Sequence, residues 1–524
     1  MRLVLFATSA NQSYIFTSNR LREAVGASEL VRLATTEWVH DAVAATGPGG
    51  ADVVQESSGT ALLVVDGPDA GADRARRVVN ELTSRVMRDA PGLDVAGASV
   101  PIDGPAPTPA QVDAVFAAHG ATVARRAATL GRFPRLPCTA ACASTDRPAT
   151  AWHSDAARAS GGGAVPGEGP RPLSAEAIAK RRTRPAADHR MGRQADVPLV
   201  DIDRFFGQVK RVAVVHADGN GLGAVFRQAA EQLGSTAEVT RLSKQVQQAA
   251  DQALRHAATK LLARVRRIDG PDRRCPLVPL IVGGDDLTAL VDGRFAVTFV
   301  RDYLERFGEK TSTELVAAAA GRQWLTASAG IAIVPPHFPF SAAYGIADEL
   351  CASAKVPTRD NPAIHALDVH IQLDSLASDL HSIRDRYRTS DAVLHERPFL
   401  LPAPGQSLPA EAHRGLDQLT ERIQAVHSLA RGRADGRVVS RTQLHVLREE
   451  LRTDPGRAQR RFTELWRRAE VSDQDREVLT ALAGVPGDPP KLLRPATGAT
   501  AGAAATTSLI DALEIAAIIP DGAL

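Results

Sequence analysis

Apolar positions along the first hundred residues switch between two spacings. Residues 2–8 (RLVLFAT) form the near-continuous apolar run of a buried strand. From 17 to 45, Leu21, Val25, Leu30, Val31 and Leu33 recur at helical spacing. Branched residues dominate 61–66 (ALLVVD) ahead of a Gly-Pro pair, which predicts a second strand. Asp69 to Ala90 reads as an amphipathic helix, and Leu93 to Ile102 as a further strand. This alternation predicts a small α+β sandwich. Residues 110–130 read as one more helix. The stretch 154–172, with SGGGAVPGEGPRP, cannot hold a regular element and predicts a linker or disordered insertion. Residues 173–207 are charged and helix-prone.

A second block opens at Lys210. KRVAVVHA is an apolar strand running into DGNGLG; 222–233 and 238–267 are helical. LVPLIV at 277–282 is a buried strand, GGDD turns the chain, and LTALV is the hairpin partner. A helix over 294–307, the strand TASAGIAIV at 326–334 and a helix over 340–354 follow, with Pro335 and Pro336 ending the strand. The order is that of a ferredoxin-like βαββαβ unit with a long helical insertion, and the first hundred residues are candidates for a second copy. HALDVHI at 365–371 adds a strand; beyond 375 the pattern is helical and Arg-rich. The expected fold class is α+β. It comprises a ferredoxin-like unit at 1–110, a helical and linker region at 111–207, a second ferredoxin-like unit at 208–375, an α-helical domain at 376–490 and a flexible tail at 491–524.

Composition narrows the function. The 524 residues carry 62 Lys plus Arg against 60 Asp plus Glu, a formal charge of +2, which excludes a strongly basic nucleic-acid coat. Aromatics at 4% argue against a base-stacking platform. Four cysteines exclude a disulfide scaffold and suit a reducing, cytoplasmic setting. No apolar run reaches the ~18 residues of a membrane span, and the opening segment reads as a strand of the mature fold.

Two acidic motifs carry the candidate chemistry. In Ala217-Asp218-Gly219-Asn220-Gly221-Leu222-Gly223 an Asp stands where an apolar strand gives way to a helix, beside free N–H groups suited to phosphate. In Gly283-Gly284-Asp285-Asp286 two glycines allow a tight turn from which two adjacent carboxylates emerge. Adjacent carboxylates repel, and a cation relieves them; oxygen-only ligands favour Mg²⁺ or Mn²⁺. In a ferredoxin-like unit the end of the first strand neighbours the middle hairpin. Asp218, Asp285 and Asp286 are then expected to converge as metal ligands for two-metal nucleotidyl transfer. Each motif alone also reads as an ordinary hairpin or Asx turn.

HADGNGLG followed by LIVGGDDLTALV resembles the second palm domain of the polymerase-like large subunit of type III CRISPR effectors, and more distantly GGDEF diguanylate cyclases. TASAGIAIVPPHFPFSAAYGIADELCASAK resembles the next palm segment, and NQSYIFTSNRLREAVGASELVRLAT that family's degenerate first palm. The resemblance implies two ferredoxin-like palms, ATP as substrate, and synthesis of cyclic oligonucleotide or cyclic dinucleotide messengers in antiviral defence. It makes Asp218, Asp285 and Asp286 the metal positions and Gly219, Asn220 and Gly221 a turn holding phosphate or ribose. Gly283 and Gly284 become the bed of the nucleotide, and Lys355 a phosphate-pairing residue closing the palm helix. Lys355 is one of only seven lysines among the 62 basic residues.

The sequence departs from that family where Asn220 replaces a frequent acidic residue. The family's nuclease module is also not evident: His40-Asp41 is an isolated dipeptide inside a helix, so nuclease activity is not expected. Cys138 and Cys142, with His153 and His189, could hold zinc, although buried thiols are the plainer reading. Arg-rich runs such as 180–184 read as solvated helix faces, with RNA or effector-complex proteins as possible partners. The alternative to an enzyme is a non-catalytic nucleotide-binding scaffold or regulatory subunit of an RNA-guided complex.

Overall fold

The computed structural model describes residues 1–47, 50–57, 59–67, 70–104, 107–126, 136–153, 170–233, 236–373, 379–408, 413–431, 438–495 and 504–524. Most of the Gly/Pro-rich stretch, over 154–169, lies outside the described residues.

Strand β1 (Arg2–Ser9) leads to helices α1 (Asn11–Ile15), α2 (Leu21–Thr35) and α3 (Glu37–Ala44). The hairpin β2 (Ala51–Ser57) and β3 (Thr60–Val65), helix α4 (Ala70–Asp89) and strand β4 (Asp94–Pro101) complete the unit. The antiparallel order β2-β3-β1-β4 is ferredoxin-like, as expected. Strand β2 was not legible because ADVVQES mixes polar and apolar positions. It is an edge strand with an irregularity between Val53 and Gln55, where one side needs no apolar partner.

Helix α5 (Pro109–Ala124) covers one face of this sheet, with Val115 against the cluster of Leu3, Leu5, Leu62 and Val64. The short strands β5 (Ala151–His153) and β6 (Arg171–Leu173) pair ahead of helices α6 (Ala175–Ala195) and α7 (Ile202–Gln208). Helix α6 lies along α2, and its basic run is not simply a solvated helix face. Lys180 is fully buried and donates to the Tyr14 carbonyl and Glu176, Arg181 pairs with Glu23 at 2.8 Å, and Arg190 with Glu29 at 2.5 Å. The basic run at 180–184 therefore faces inward in part, because acidic positions on α2 neutralise it.

The second unit runs β7 (Val212–Gly219), α8 (Leu222–Leu233), α9 (Thr236–Asp269), β8 (Leu277–Gly283), β9 (Asp286–Asp292), α10 (Ala296–Lys310), α11 (Glu314–Ala320) and β10 (Ala327–Val334). Its order β10-β7-β9-β8 repeats that of the first sheet. Helix α12 (Phe340–Asp360) then crosses to β11 (Ile364–Ile371), parallel to β10. One apolar core holds both units together: Val4, Phe6 and Val25 of the first share a cluster with Val214, Leu280 and Tyr344 of the second.

Beyond the sheet come α13 (Leu380–Asp385), β12 (Ala392–Val393), β13 (Phe399–Pro402), α14 (Leu416–Arg431), α15 (Arg441–Thr453), α16 (Pro455–Arg468), α17 (Asp473–Leu482), β14 (Ala505–Thr506) and α18 (Leu509–Ala516). Two expectations change here. The C-terminal region is not purely helical, since β13 joins the second sheet beside β11. The end of the chain is not a free tail: Leu509, Ile510 and Ile515 are buried. Asp511 and Glu514 lie 2.6 and 2.7 Å from the fully buried Arg397. The LIDALEIAAII pattern supplies an apolar stripe and, beside it, the two acids that this arginine needs.

Among the described residues no helix is long and apolar enough to cross a membrane. His40 and Asp41 make surface pairs with Glu56 (2.9 Å) and Arg85 (2.7 Å).

Candidate active site

Alternation along β7 sends Val212, Val214, His216 and Asp218 to one face, toward α12, and Ala213, Val215 and Ala217 to the other. Asp218 pairs with Ser328 of β10, placing its carboxylate at the sheet end where the chain enters the DGNG turn. The β8–β9 hairpin closes beside it: Gly283 pairs with Asp286, leaving Gly284 and Asp285 as the turn. Gly284 has φ +63°, a conformation side-chain-bearing residues resist, and its N–H donates to Gln247 of α9.

Asp285 reaches across so that Gly219 N–H donates to its Oδ2 at 3.2 Å. A Cβ on Gly219 would stand 2.7 Å from that oxygen and 1.8 Å from Leu222 Cδ1, so only glycine lets the carboxylate lie there. Burial and the adjacent Asp218 push the Asp285 carboxyl up to about 7. Burial acts on Asp218 in the same sense, but Lys355, bonded to its Oδ2, holds it below the ordinary carboxylate range.

Asp286 does not join this pair. As the first residue of β9 it points along the sheet face, with Oδ1 3.4 Å from His216 Nδ1 and no hydrogen-bond partner. His216 was not singled out from the sequence, although it sits two residues before Asp218 on the same strand face. Its Nε2 lies 3.5 Å from Asp348 of α12. Burial disfavours its charged form, yet Asp286, Asp348 and Asp218 together raise its pKa above the ordinary value. The expected convergence of three carboxylates is therefore seen for two of them. Among the described residues no group of three or more His, Cys, Asp or Glu is gathered as a metal site, at the hairpin or around Cys138 and Cys142. Cys138 is exposed and Cys142 buried.

Asn220 is a tie within the second unit. It is buried, its Nδ2 donates to Thr326 Oγ1 at 3.0 Å, and its Oδ1 accepts from Ser328 Oγ at 2.8 Å. Helix α12 continues past 354 to Asp360, so Lys355 stands inside the helix and not at its end. One turn further on is Arg359. Lys355, Arg359 and Arg322 line a cavity of about 430 Å³ that also includes Asn220, Gly221 (φ +68°) and the first turns of α8. Among the described residues its lining holds three cations and no acid. Arg322 donates to the Asn220 carbonyl at 3.1 Å, while its Nε is buried without a partner. Burial holds its pKa below the usual guanidinium value. A helix N-terminus with three cations fits an anion such as a polyphosphate. The Lys-x-x-x-Arg spacing on one helix was the available signal for Arg359; Arg322 had none, being brought in by the loop after α11.

A second cavity, of about 350 Å³, separates the two units. Asn11, Gln12 and Ser13 line it from the first, and Ile281 and Asp286 from the second. Asn11 Oδ1 and Asp286 Oδ1 are both buried without hydrogen-bond partners.

Residues 211–363 match the family model for Cas10/Cmr2, second palm domain. Over these residues the chain is similar to the Cas10/Cmr2 second palm domain. The match spans the palm from just before β7 to the threshold of β11 and includes both acidic motifs and Lys355. Solved structures also align. The apo Csm1-Csm4 cassette does so at 14% identity and TM-score 0.48, over 90% of this chain and 65% of that one. The cassette in complex with cA4 aligns at 13% identity and TM-score 0.48, over 99% and 69%. Csm1 in T. onnurineus aligns at 14% identity and TM-score 0.45, over 90% and 64%. The chain thus spans roughly two thirds of the solved chains it aligns with. No curated protein matches the sequence.

Proposed function

We propose that this chain is a palm-type nucleotidyltransferase. It joins ATP units by attack of a 3′-hydroxyl on an α-phosphate with release of pyrophosphate, and closes the product into a cyclic oligonucleotide or cyclic dinucleotide. The observation that carries the reading is the half-buried Asp218–Asp285 pair set directly against Lys355 and the three-cation cavity. Acids that activate and cations that hold polyphosphate adjoin within one palm.

The donor set fits a divalent cation. Asp218 and Asp285 are adjacent half-buried carboxylates; desolvation and then the repulsion between them raise Asp285 to about 7, and Asp286 Oδ1 lacks a partner. These residues would hold Mg²⁺ or Mn²⁺, which supplies Lewis acidity toward phosphate when bound. The protein's own groups do the rest. Lys355, Arg322 and Arg359 bind the β- and γ-phosphates and stabilise the departing pyrophosphate. The Gly219–Gly221 turn brings backbone close to the phosphates. Gly283 and Gly284 keep the hairpin narrow, so that the base can lie over it. His216 stands 3.4 Å from Asp286 Oδ1.

The cavity between the units, with unpartnered Asn11 and Asp286 oxygens, supports an acceptor nucleotide bound between the two palms of one chain. Activity is then expected to rise linearly with enzyme concentration, and a square dependence would point to a homodimer. The Cas10/Cmr2 palm supports a place in a type III CRISPR effector with partner subunits and RNA. Mass spectrometry of products from the purified chain with ATP and Mg²⁺ or Mn²⁺ tests the reaction. Linear or cyclic oligoadenylates are expected; unaltered ATP, alone and with partner subunits and RNA supplied, would favour a nucleotide-binding scaffold.

A further inference from the structure

A separate cavity lies at the other end of the palm sheet. Asp218 is level with Ser328 of β10 and, through it, with Ala366 of β11. His370 lies four residues further along β11, about 13 Å away at strand rise. There, between the end of β11 and helices α15 and α18, opens a cavity of about 340 Å³. Its floor is apolar and buried, with Ile371, Ile383 and Leu513. Arg386, Arg448 and Arg452 stand around it. Among the described residues the one acidic lining residue, Glu514, accepts from Tyr387 Oη at 2.9 and 3.0 Å, pairs with Arg397 at 2.7 Å and lies 3.9 Å from Arg452, and Arg448 pairs with Glu449 at 2.8 Å; three lining arginines against one lining carboxylate leave the lining cationic.

His370 gives the cavity a directional contact. It is 6% exposed, its Nε2 is 2.9 Å from Gln372 Oε1, and its Nδ1 has no partner. Burial, with Arg397 nearby, pushes its pKa down to about 4, so the ring is neutral. With Nε2–H donating to Gln372, Nδ1 is a buried bare acceptor, and such groups are rarely left unpaired. The volume lies at the small end of the range for small-molecule sites.

We propose that this cavity is a second ligand site that takes a purine mononucleotide. The planar base lies on the apolar floor and donates an N–H to His370 Nδ1; the phosphate meets Arg448 and Arg452. The inference stands apart from the reading of the Asp218 site. It is tested with AMP as probe, by calorimetry on the full chain carrying Lys355→Ala to weaken the palm site. One equivalent is expected to bind. Arg448→Ala with Arg452→Ala, both partly exposed, is expected to weaken it about tenfold or more. Ala517→Trp at the exposed mouth is expected to abolish it. Hydrogen exchange on AMP addition is expected to slow in 371–373 and 513–518. Absence of AMP binding in the Lys355→Ala chain, equal affinity in the Arg and Trp variants, or inorganic phosphate binding as well as AMP would overturn the proposal.

Discussion

Lys355 separates a phosphate-binding palm from a merely folded one. In the free protein its ammonium is bonded to Asp218, and both side chains are about one-third exposed, at 28% and 36%. A pair at that exposure contributes under about 1 kcal/mol to stability, so Lys355→Ala should leave the melting transition nearly in place. Its effect on ATP is expected to be larger. A charge-assisted contact to phosphate is worth roughly 1.5–3 kcal/mol, or about ten- to a hundredfold in affinity. Arg322 and Arg359 remain in the same cavity, and Lys355 must leave Asp218 to reach phosphate, so the lower end, about tenfold, is expected. Lys355→Arg should recover only part, because a planar fork does not reproduce a compact point charge. The assay is calorimetric titration with ATP in an Asp285→Ala background, where turnover is blocked. Unchanged affinity in Lys355→Ala, with Arg359→Ala equally silent, would refute the assignment of this cavity to the triphosphate.

Gly219→Ala places a methyl against Asp285 Oδ2 and Leu222 Cδ1, both ends of flexible side chains. It should cost activity at least tenfold while unfolding midpoints move little; full activity would show that the Asp285 position is not needed. Glu29 carries a folded-state pKa that burial would raise but Arg32 and Arg190 hold below its ordinary 4.5. Its stabilisation is therefore complete above about 4.5 and lost as pH falls through the lower folded value. Glu29→Gln should destabilise by about 1–3 kcal/mol at neutral pH and by less near pH 3, read by denaturant midpoints. Ile510→Ala, at a fully buried position of α18, should cost about 2–5 kcal/mol; a change within 0.5 kcal/mol would mean the C-terminal helix is not part of the core.

What the sequence disclosed and what it hid have physical reasons. The second ferredoxin-like unit was legible because its strands are short apolar runs alternating with amphipathic helices and Gly-Gly-Asp-Asp marks a hairpin; the first was legible in the same way except for its mixed edge strand β2. Asp218 and Asp285 were legible from motif spacing and Lys355 from the family resemblance, and the structure brings these three together. The separate direction of Asp286 was not, because neighbouring residues at a turn-to-strand junction diverge. Asn220 looked like a ligand-facing turn residue; its partners, Thr326 and Ser328, are more than a hundred residues away and set by register alone. The same holds for α6 and α18. Charge in one and low complexity before the other suggested solvent and flexibility. Only the distant partners Glu23, Glu29 and Arg397 turn those patterns into buried pairs.

The central claim is that the palm around Asp218 and Asp285 transfers nucleotidyl groups. The most direct measurement is pyrophosphate release from ATP by the wild-type chain and by Asp285→Ala with Asp286→Ala, under one set of conditions including divalent cation and any partner subunits. Circular dichroism would verify that both are folded. The account predicts stoichiometric pyrophosphate and oligonucleotide from the wild type and none from the double variant. Equal release from both would contradict it.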